Sequence, residues 1–425
     1  MNYQKLSQGN YNLHIIQTDR FKTVQVIVNY KNELKKEEIT IRNFLNDMLL
    51  STCKEYPTSR LLSIATEDLY NISVNGANIR SGKYSILSFK CRFLNEKYTE
   101  QGMNEKSISF FMNLLYHPNI VDGSFDETSF GIVKKGLEED IRSTKDNPRR
   151  YSLLRLYEVM APNSKLSYHP SGYLDDLEKI TRQNLYTYYQ NMMNNAIVDV
   201  FVIGDVNPED AKTYIEKYFI PPMNRMATGE HILSYSEFRE KEQVIKETMD
   251  ITQSQLMVGC KVDELTPFER QYVMNIYSFI LGGGGDSKLF QTVREKNSLC
   301  YSISSSYNYL YHTMVISAGI DAKTFKKTLN LIKEQLESME NGEFEEEMME
   351  KAVATFINGC KEVEDSPTLL SNIYLVHEYM GNDLLEEKIE NIKKVTKEMV
   401  VELAKKVHID TVYLLEGGNH EKDSL

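Results

Sequence analysis

The sequence repeats itself once, and this duplication constrains the fold more than any other feature does. The strand-like VQVIVNYKNEL, which begins at Val24, has the pattern of SQLMVGCKVDEL, which begins at Ser254, and both segments end in Glu-Leu. Matching Ser-Arg-Leu and Ser-Lys-Leu tripeptides follow at Ser59 and Ser287, and about 230 positions separate the partners in both of these pairs. The two halves therefore carry the same elements in the same order.

Helical patterns follow the early strands of both halves. One apolar stripe at helical spacing runs through each of two predicted helices. The stripe residues are Ile108, Phe111, Met112 and Leu115 in the first half and Phe325, Leu329, Ile332, Leu336 and Met339 in the second. Thr181, Thr396 and Asn207 stand where side-chain oxygens cap the start of a helix. Each half closes with a strand-like run, IVDVFVIG from Ile197 and TVYLLEGG from Thr411.

The order of these elements predicts the fold class. Strands cluster early in each half, helices follow and a strand returns at the end. We therefore predict an α+β protein with two homologous domains, each a largely antiparallel sheet with helices packed on one face. The predicted limits are residues 1–222 for the first domain, 223–247 for a linker, 248–416 for the second domain and 417–425 for a polar tail.

Composition excludes several classes of partner. The chain has 425 residues and a net charge of −12, with Lys and Arg dispersed among acids, which argues against nucleic acid. No apolar run is long enough to span a bilayer, and MNYQKLSQGN lacks the pattern of a secretory signal, so we expect no membrane partner and a cytoplasmic address. The cysteines are isolated and predict buried, reduced thiols: Cys53, Cys91, Cys260, Cys300 and Cys360.

The stretch IRNFLNDMLL carries polar residues at the spacing of a zinc-binding helix. In His-x-x-Glu-His, two imidazoles on one helix face hold the metal and the glutamate polarises its bound water. Asn43, Asn46 and Asp47 occupy these positions here. An amide oxygen is a poor zinc ligand and Asn46 cannot accept a proton at neutral pH, so we predict no metal site in this chain. The simplest interpretation makes Asn43 and Asp47 solvated positions of an amphipathic helix.

A second candidate site follows a run of four glycines. These are Gly282, Gly283, Gly284 and Gly285. A Walker loop would need Gly-Lys-Ser or Gly-Lys-Thr, but Asp286 and Ser287 come before the lysine, and a dinucleotide loop would need glycine where Ser287 stands. Neither nucleotide-binding pattern fits, so we do not expect this loop to bind phosphate. Backbone crowding or a positive φ at a tight connection also explains a glycine run.

The segment NFLND resembles the HFLEH of insulinase and pitrilysin-type metallopeptidases, the group with the inverted His-x-x-Glu-His zinc motif. The resemblance extends over nearly the whole chain. Five further segments resemble the family in family order: LLYHPNIVDGSFDE, GLEEDIRSTKDNP, LEKIT, VIGDVNPED and LGGGGDSKLFQTVREKNSLCYS. For the fold, it implies that the two domains form half of a clamshell.

For site residues, the resemblance implies that Glu138 or Glu139 lies where the family has its third zinc ligand, although a lone glutamate makes no site. It also implies that Arg294 and Tyr301 face the zinc site across a peptide chamber and contact the substrate backbone, and that the glycine loop borders this chamber. Both side chains can donate to a carbonyl oxygen that gains negative charge. The alternative is an arginine in a salt bridge at a helix end and a tyrosine packed in a strand.

For function, the resemblance implies a zinc-less, non-catalytic subunit that pairs with a homologous zinc-bearing chain to form one metallopeptidase. Such a subunit is inactive alone, and zinc is expected only in the partner. Some similar bacterial proteins are associated with aminopentanol modification of elongation factor P and others with peptide maturation. Two alternatives stay open: a peptide-binding or scaffold protein without proteolytic role, and a free-standing peptidase with an unusual metal site.

Overall fold

Two compact units make up the computed structural model, which describes residues 1–224, 226–227, 229–233 and 239–418. The first unit comprises Met1–Arg142, His169–His231 and Glu364–Leu375. The second comprises Ser143–Tyr168 and the described residues of Ile232–Val363 and Val376–Leu425.

A six-stranded sheet forms the centre of the first unit, with strand order β1-β2-β8-β3-β5-β4. Its strands are β1 (Asn2–Gln8), β2 (Tyr11–Gln17), β3 (Thr23–Glu33), β4 (Ser73–Ser81), β5 (Tyr84–Leu94) and β8 (Ile197–Gly204). A separate hairpin joins β6 (Ile120–Val121) to β7 (Ser124–Phe125). Neighbouring strands of the sheet are antiparallel except β2 and β8, which are parallel.

Helices of the first unit cover one face of this sheet and enclose a core that includes Leu13, Val26 and Phe111. They are α1 (Ile39–Ser51), α2 (Ser59–Asp68), α3 (Met103–Tyr116), α4 (Glu127–Arg142), α6 (Leu174–Lys179), α7 (Arg182–Asn195) and α8 (Pro208–Tyr218). Thr181 and Asn207 cap α7 and α8 through their side-chain oxygens, as the sequence predicts.

A five-stranded sheet forms the centre of the second unit, with strand order β11-β12-β10-β13-β9. Its strands are β9 (Gln243–Met249), β10 (Ser254–Val262), β11 (Cys300–Asn308), β12 (Thr313–Ile320) and β13 (Val407–Gly417). The helices are α5 (Pro148–Met160), α9 (Met274–Gly282), α10 (Phe325–Glu340), α11 (Glu346–Val363), α12 (Pro367–Met380), α13 (Leu385–Ile392) and α14 (Lys397–Ala404), and α12 begins in the first unit. Two π-helical segments, Glu269–Val273 and Phe290–Lys296, complete the unit.

The two sheets confirm the duplication seen in the sequence. The order β2-β8-β3-β5-β4 in the first sheet corresponds strand by strand to β9-β13-β10-β12-β11 in the second. The parallel pair, β2 with β8 and β13 with β9, occupies the same place in both. Both units are therefore α+β with a largely antiparallel sheet, as predicted.

Each half of the sequence also supplies a helical segment to the unit formed mainly by the other half. In the second unit α5 packs its Leu156 against Met257 and Tyr413, so that this sheet carries helices on both faces. In the first unit Thr368 Oγ1 accepts a hydrogen bond of 2.9 Å from Gln25 Nε2. The units therefore differ from the sequence limits of 1–222 and 248–416, because an apolar stripe predicts that a helix packs but not against which sheet.

The segment expected to link the domains ends in regular structure. Strand β9 begins at Gln243, inside the predicted linker 223–247, and pairs in parallel with β13. Arg225, Thr228 and residues 234–238 of that linker lie outside the described residues, as do residues 419–425 of the predicted tail. No helix in the described part of the chain combines the length and the apolar character of a transmembrane span.

Candidate functional site

The positions of the degenerate zinc motif lie on α1, which packs against α4 and β4. Asn43 is half-buried, and both ends of its amide group are engaged. Its Nδ2 donates to the carbonyl oxygen of Pro170 at 2.8 Å, and its Oδ1 accepts from Asn78 Nδ2 at 2.9 Å. Asn43 is therefore a bridge between α1, β4 and the segment before α6, and the interpretation as a solvated position does not hold for it.

One turn further along α1, Asn46 and Asp47 contact each other. Asn46 Nδ2 donates to Asp47 Oδ1 at 2.8 Å, while Asn46 Oδ1 is buried with no hydrogen-bond partner in the described part of the chain. Removal from water raises the pKa of the Asp47 carboxyl group; the Asn46 amide lowers this pKa and the charge of Asp140 raises it. The side chain of Asp47 nevertheless reaches the surface.

The arginine between Ile41 and Asn43 was not singled out by the sequence interpretation, yet it organises this region. Arg42 is only 1% exposed. Its guanidinium group donates to four acceptors at 2.9–3.4 Å in addition to the Tyr188 hydroxyl: Asn32 Oδ1, Asn78 Oδ1 and the carbonyl oxygens of Tyr30 and Ser85. The sequence does contain a sign that Arg42 is buried. Arg42 lies on the same helix face as the apolar Ile39, Leu45 and Leu49.

The two glutamates expected near the third ligand position point to the surface. Glu138 Oε1 forms an ion pair of 2.8 Å with Arg142, and Glu139 lies 3.8 Å from Lys135, all on α4. Within the residues that the structure describes, no three His, Cys, Asp or Glu side chains come together as a metal-binding group. With its amides committed to Pro170, Asn78 and Asp47, the degenerate motif does not fit a zinc ion.

A glycine on β4 makes room for Asn46, which yields a first prediction. A Cβ added to Gly76 would lie 2.2 Å from Asn46 Oδ1 and 3.1 Å from Phe89 Cδ1. We expect Gly76→Ala to lower the free energy of unfolding by about 1–3 kcal/mol, measured by urea titration. In an Asn46→Ser background most of this loss should disappear, because the shorter side chain removes the clash. An equal loss in both backgrounds would contradict the prediction.

Arg294 and Tyr301 contact each other in the second unit. Arg294 lies on the π-helical segment Phe290–Lys296, and its guanidinium carbon is 4.6 Å from the ring centre of Phe290 and 5.2 Å from that of Tyr301. Its Nε is 3.5 Å from Glu295 Oε1. The Tyr301 side chain is 77% exposed, so it is not packed into the sheet. The cation is therefore held over aromatic faces, and the phenol is accessible.

A bulge explains the exposure of Tyr301. Cys300 pairs with Ile320 and Ile303 pairs with Ala318, so β11 carries one residue more than β12 between these pairs. An extra residue bends a strand and redirects the side chains next to it. In the described sheet β11 is an edge strand, bonded on one side to β12. Tyr301 therefore projects from an irregular edge strand, the part of a sheet to which another chain can add a strand.

The glycine run contains two kinds of position. A Cβ on Gly282 would lie 2.6 Å from the Ser305 backbone nitrogen of β11, and one on Gly283 would lie 2.6 Å from Phe279 Cα. Gly284 and Gly285 would meet nothing within 4 Å, and none of the four has a positive φ. Close backbone approach thus accounts for Gly282 and Gly283, while nearby packing places no demand on the other two.

This difference predicts that alanine lowers the stability at one of these glycine positions and hardly changes it at another. Gly282→Ala should lower the free energy of unfolding by about 1–3 kcal/mol, because β11 must move away from the new methyl group. Gly284→Ala should change it by less than about 0.5 kcal/mol and is the matched control. Chemical denaturation followed by circular dichroism measures both. Similar values for the two variants would contradict the crowding explanation.

Sequence comparisons show similarity to proteins of a peptidase family. Residues 179–356 match a family model described as the peptidase M16 inactive domain. A Bacillus subtilis protein named "Probable inactive metalloprotease YmfF" is 29% identical over 421 residues, which cover 98% of each chain. A second protein of that bacterium, the uncharacterized zinc protease YmxG, is 28% identical over 198 residues, or 46% of each chain.

Solved structures show the same fold over the full length. A conserved protein from Enterococcus faecalis has a TM-score of 0.91 at 26% identity, covering 99% of this chain and 100% of that one. A peptidase M16 inactive domain from Pseudomonas fluorescens has a TM-score of 0.81 at 15% identity, with 99% and 100% covered. Together with the duplicated α+β architecture, these matches show that the chain resembles inactive proteins of the peptidase M16 family.

Proposed function

We propose that this chain is the non-catalytic subunit of a two-chain M16 metallopeptidase. A homologous chain with an intact His-x-x-Glu-His motif would supply the zinc ion and its water, and this chain would supply Arg294, Tyr301 and part of the peptide-binding surface. The observation that carries the proposal is the exposed Tyr301 under the guanidinium group of Arg294. It stands in a chain whose own motif positions hold amides bonded to protein groups.

The chemistry of the pair suits peptide hydrolysis. Attack of water on a peptide carbonyl places negative charge on the carbonyl oxygen, and preorganised donors stabilise that charge. Arg294 offers a fixed planar cation and Tyr301 a neutral hydroxyl donor. Because Phe290 and Tyr301 hold the guanidinium group before substrate arrives, little reorganisation is needed at the moment of reaction.

The edge of β11 supports the binding of an extended peptide. An edge strand can pair with a peptide through main-chain hydrogen bonds, which gives affinity with little dependence on sequence. Tyr301 lies on this strand, so a peptide paired along it would pass the Arg294 and Tyr301 side chains. The expected substrate is therefore an unfolded peptide segment rather than a folded protein.

The relatives support the pairing of unlike chains. Bacillus subtilis has both a protein named a probable inactive metalloprotease and another named a zinc protease, and this chain is similar to both. We infer that this chain acts beside a zinc-bearing homologue and holds no zinc itself. Elongation factor P modification and peptide maturation are the two processes in which we propose to seek its substrate.

Reconstitution tests the proposal. The purified chain, the zinc-bearing homologue of the same organism and their mixture are each assayed with a library of quenched fluorescent peptides, alongside zinc analysis of each chain. We expect cleavage by the mixture only, with zinc bound by the homologue only. Cleavage by this chain alone, or tightly bound stoichiometric zinc in it, would overturn the proposal.

The second candidate is a peptide-binding protein without any proteolytic role. The edge strand β11 favours it equally, since strand addition needs no metal. This function predicts that peptides bind but are not cut in any pairing of chains. It also predicts that Arg294 and Tyr301 tolerate substitution, which distinguishes it from the first proposal.

A further inference from the structure

An exposed arginine lies over the edge strand β11. Arg149 belongs to the first turn of α5, and its side chain is accessible to solvent. Its Nη2 donates to the hydroxyl oxygen of Ser304 on β11 at 3.3 Å and to that of Ser317 on β12 at 3.0 Å. The two serines are paired across these strands, and their hydroxyl oxygens are 3.3 Å apart. Neutral acceptors thus hold a guanidinium group beside the outermost strand of the sheet.

Arg149 forms no ion pair in the part of the chain that the structure describes. The first turn of α5 contains no acidic residue either. Arg155, six residues further along this helix, shows the contrast, because its guanidinium group binds Glu247 at 2.6 Å and also contacts Glu158. A hydroxyl group orients a guanidinium group but carries no charge to neutralise it. Arg149 therefore keeps the ability to bind an anion.

The guanidinium group of Arg149 lies on the face of the sheet that carries α5. Val315 on β12 belongs to the same apolar cluster as Leu156 of α5. Ser317 follows Val315 by two residues on the strand, so it points to the same face. Ser304 is paired with Ser317 and shares this face as well. Arg149 is therefore placed directly above the pair of strands β11 and β12.

A peptide that pairs with the edge of β11 would bring one of its side chains next to Arg149. Residues opposite each other on neighbouring strands point to the same face, with their Cβ atoms about 5 Å apart. The peptide residue opposite Ser304 would therefore project beside the serine that holds the guanidinium group. A carboxylate there can accept from Nη1 of Arg149, which binds neither serine. Such charge-assisted hydrogen bonds are the strong ones.

We propose that Arg149 forms a subsite for an acidic side chain of a peptide bound along β11, with Ser304 and Ser317 as positioning residues. That a peptide pairs with β11 rests on the proposed function, and it holds for both of the functions considered there. Ser304 follows Tyr301 by three residues, which is about 10 Å along an extended strand. The acidic residue therefore lies about two or three residues from the peptide bond beside Tyr301. The substrate class is an extended peptide with a Glu or Asp at that distance.

Peptide binding to the isolated chain tests the subsite. The protein contains no tryptophan, so a peptide with one Trp can be followed by its fluorescence anisotropy. Three nonapeptides with blocked ends differ only at their central position, which is Glu, Gln or Lys, and they carry no other charge. We expect the Glu peptide to bind about fivefold more tightly than the Gln peptide, and the Lys peptide to bind most weakly. The chain has a net charge of −12, so its overall charge would produce the opposite order.

Two substitutions assign the preference to Arg149. Arg149→Gln should abolish the difference between the Glu and Gln peptides, and Arg149→Glu should reverse the order, so that the Lys peptide binds most tightly. Lys145→Gln removes the same charge from an exposed residue of the same unit, and this matched control should keep the order of the wild-type chain. Equal binding of the three peptides to the wild-type chain, no binding of any of them, or a preference for Glu that persists in Arg149→Gln would overturn the proposal.

The melting temperature separates binding from a purely structural role. Arg149 is exposed and the two serines can bond to each other without it, so Arg149→Gln should shift the melting temperature by less than about 2 °C. If the shift is larger, Arg149→Glu decides: an order reversed in favour of Lys supports the subsite, and any other order overturns it. These experiments use the isolated chain, whereas cleavage by the mixture with the zinc-bearing homologue tests the proposed function. A preference for Glu without cleavage in the mixture would refute only the peptidase role.

Discussion

Arg294→Ala should reduce peptide turnover by the two-chain complex about 10²- to 10³-fold, the usual cost of removing one donor to the oxygen that becomes charged. Substrate binding should change much less, because the arginine acts mainly as that charge develops. The measurement is the initial rate of cleavage of a quenched fluorescent peptide by the reconstituted pair, fitted for kcat and KM separately. Tyr301→Phe should lower kcat by a smaller factor, since the ring that supports the guanidinium group is kept.

Lys296→Ala is the matched control for this experiment, because it removes an exposed positive charge from the same π-helical segment. The pair should stay intact in both variants, which size-exclusion chromatography measures. If Arg294→Ala keeps full activity in an intact pair, the arginine has no part in catalysis and peptide binding without proteolysis becomes the better account. If the pair dissociates, Arg294→Lys gives a second test, since it keeps the charge without the planar geometry.

Arg42→Met should lower the free energy of unfolding by about 3–5 kcal/mol. The substitution keeps the aliphatic stem but leaves the carbonyl oxygens of Tyr30 and Ser85 and the Asn32 amide without their buried donor. Unfilled acceptors inside a protein cost more than the hydrogen bonds themselves contribute. Thermal and urea unfolding followed by far-ultraviolet circular dichroism measure the loss.

Arg60→Met is the control for Arg42→Met, because Arg60 is exposed on α2 of the same unit. It should change the free energy of unfolding by less than about 0.5 kcal/mol. Arg42→Lys should recover only part of the stability, since an ammonium group cannot reach several acceptors in one plane. A fully stable Arg42→Met variant would mean that desolvation of the guanidinium group offsets all its hydrogen bonds.

Local patterns predicted the elements of the fold. The strand runs and the N-caps at Thr181 and Asn207 are confirmed, because each depends on neighbours only a few residues apart. The duplication is confirmed by the matching strand orders of the two sheets. The exchange of helical segments between the units was not predicted. Leu156 on α5 packs against Met257 and Tyr413, and nothing in its own helix specifies a sheet so distant in sequence.

For the candidate site, too, the sequence predicted some features and not others. Its residue types could be chosen from spacing and resemblance: Asn43, Asn46 and Asp47 at the motif positions, and the pair Arg294 and Tyr301. The burial and hydrogen bonding of these residues could not be predicted in this way, because both depend on segments from elsewhere in the chain. The engagement of Asn43 by Pro170 and Asn78 and the strand bulge beside Tyr301 are of this kind.

By itself, the sequence determined that this protein is a duplicated α+β chain with amides where a zinc site would have histidines. Periodicity and side-chain chemistry are sufficient for that conclusion, since both are properties of short stretches. Only the tertiary structure decided that Arg42 is buried and bonded to β3, β4 and β5, and that Tyr301 is exposed. It also decided that the Arg270 Nε and the Tyr307 hydroxyl are buried without a hydrogen-bond partner among the described residues. These are outcomes of long-range packing, which determines whether a polar group meets water, a protein partner or neither.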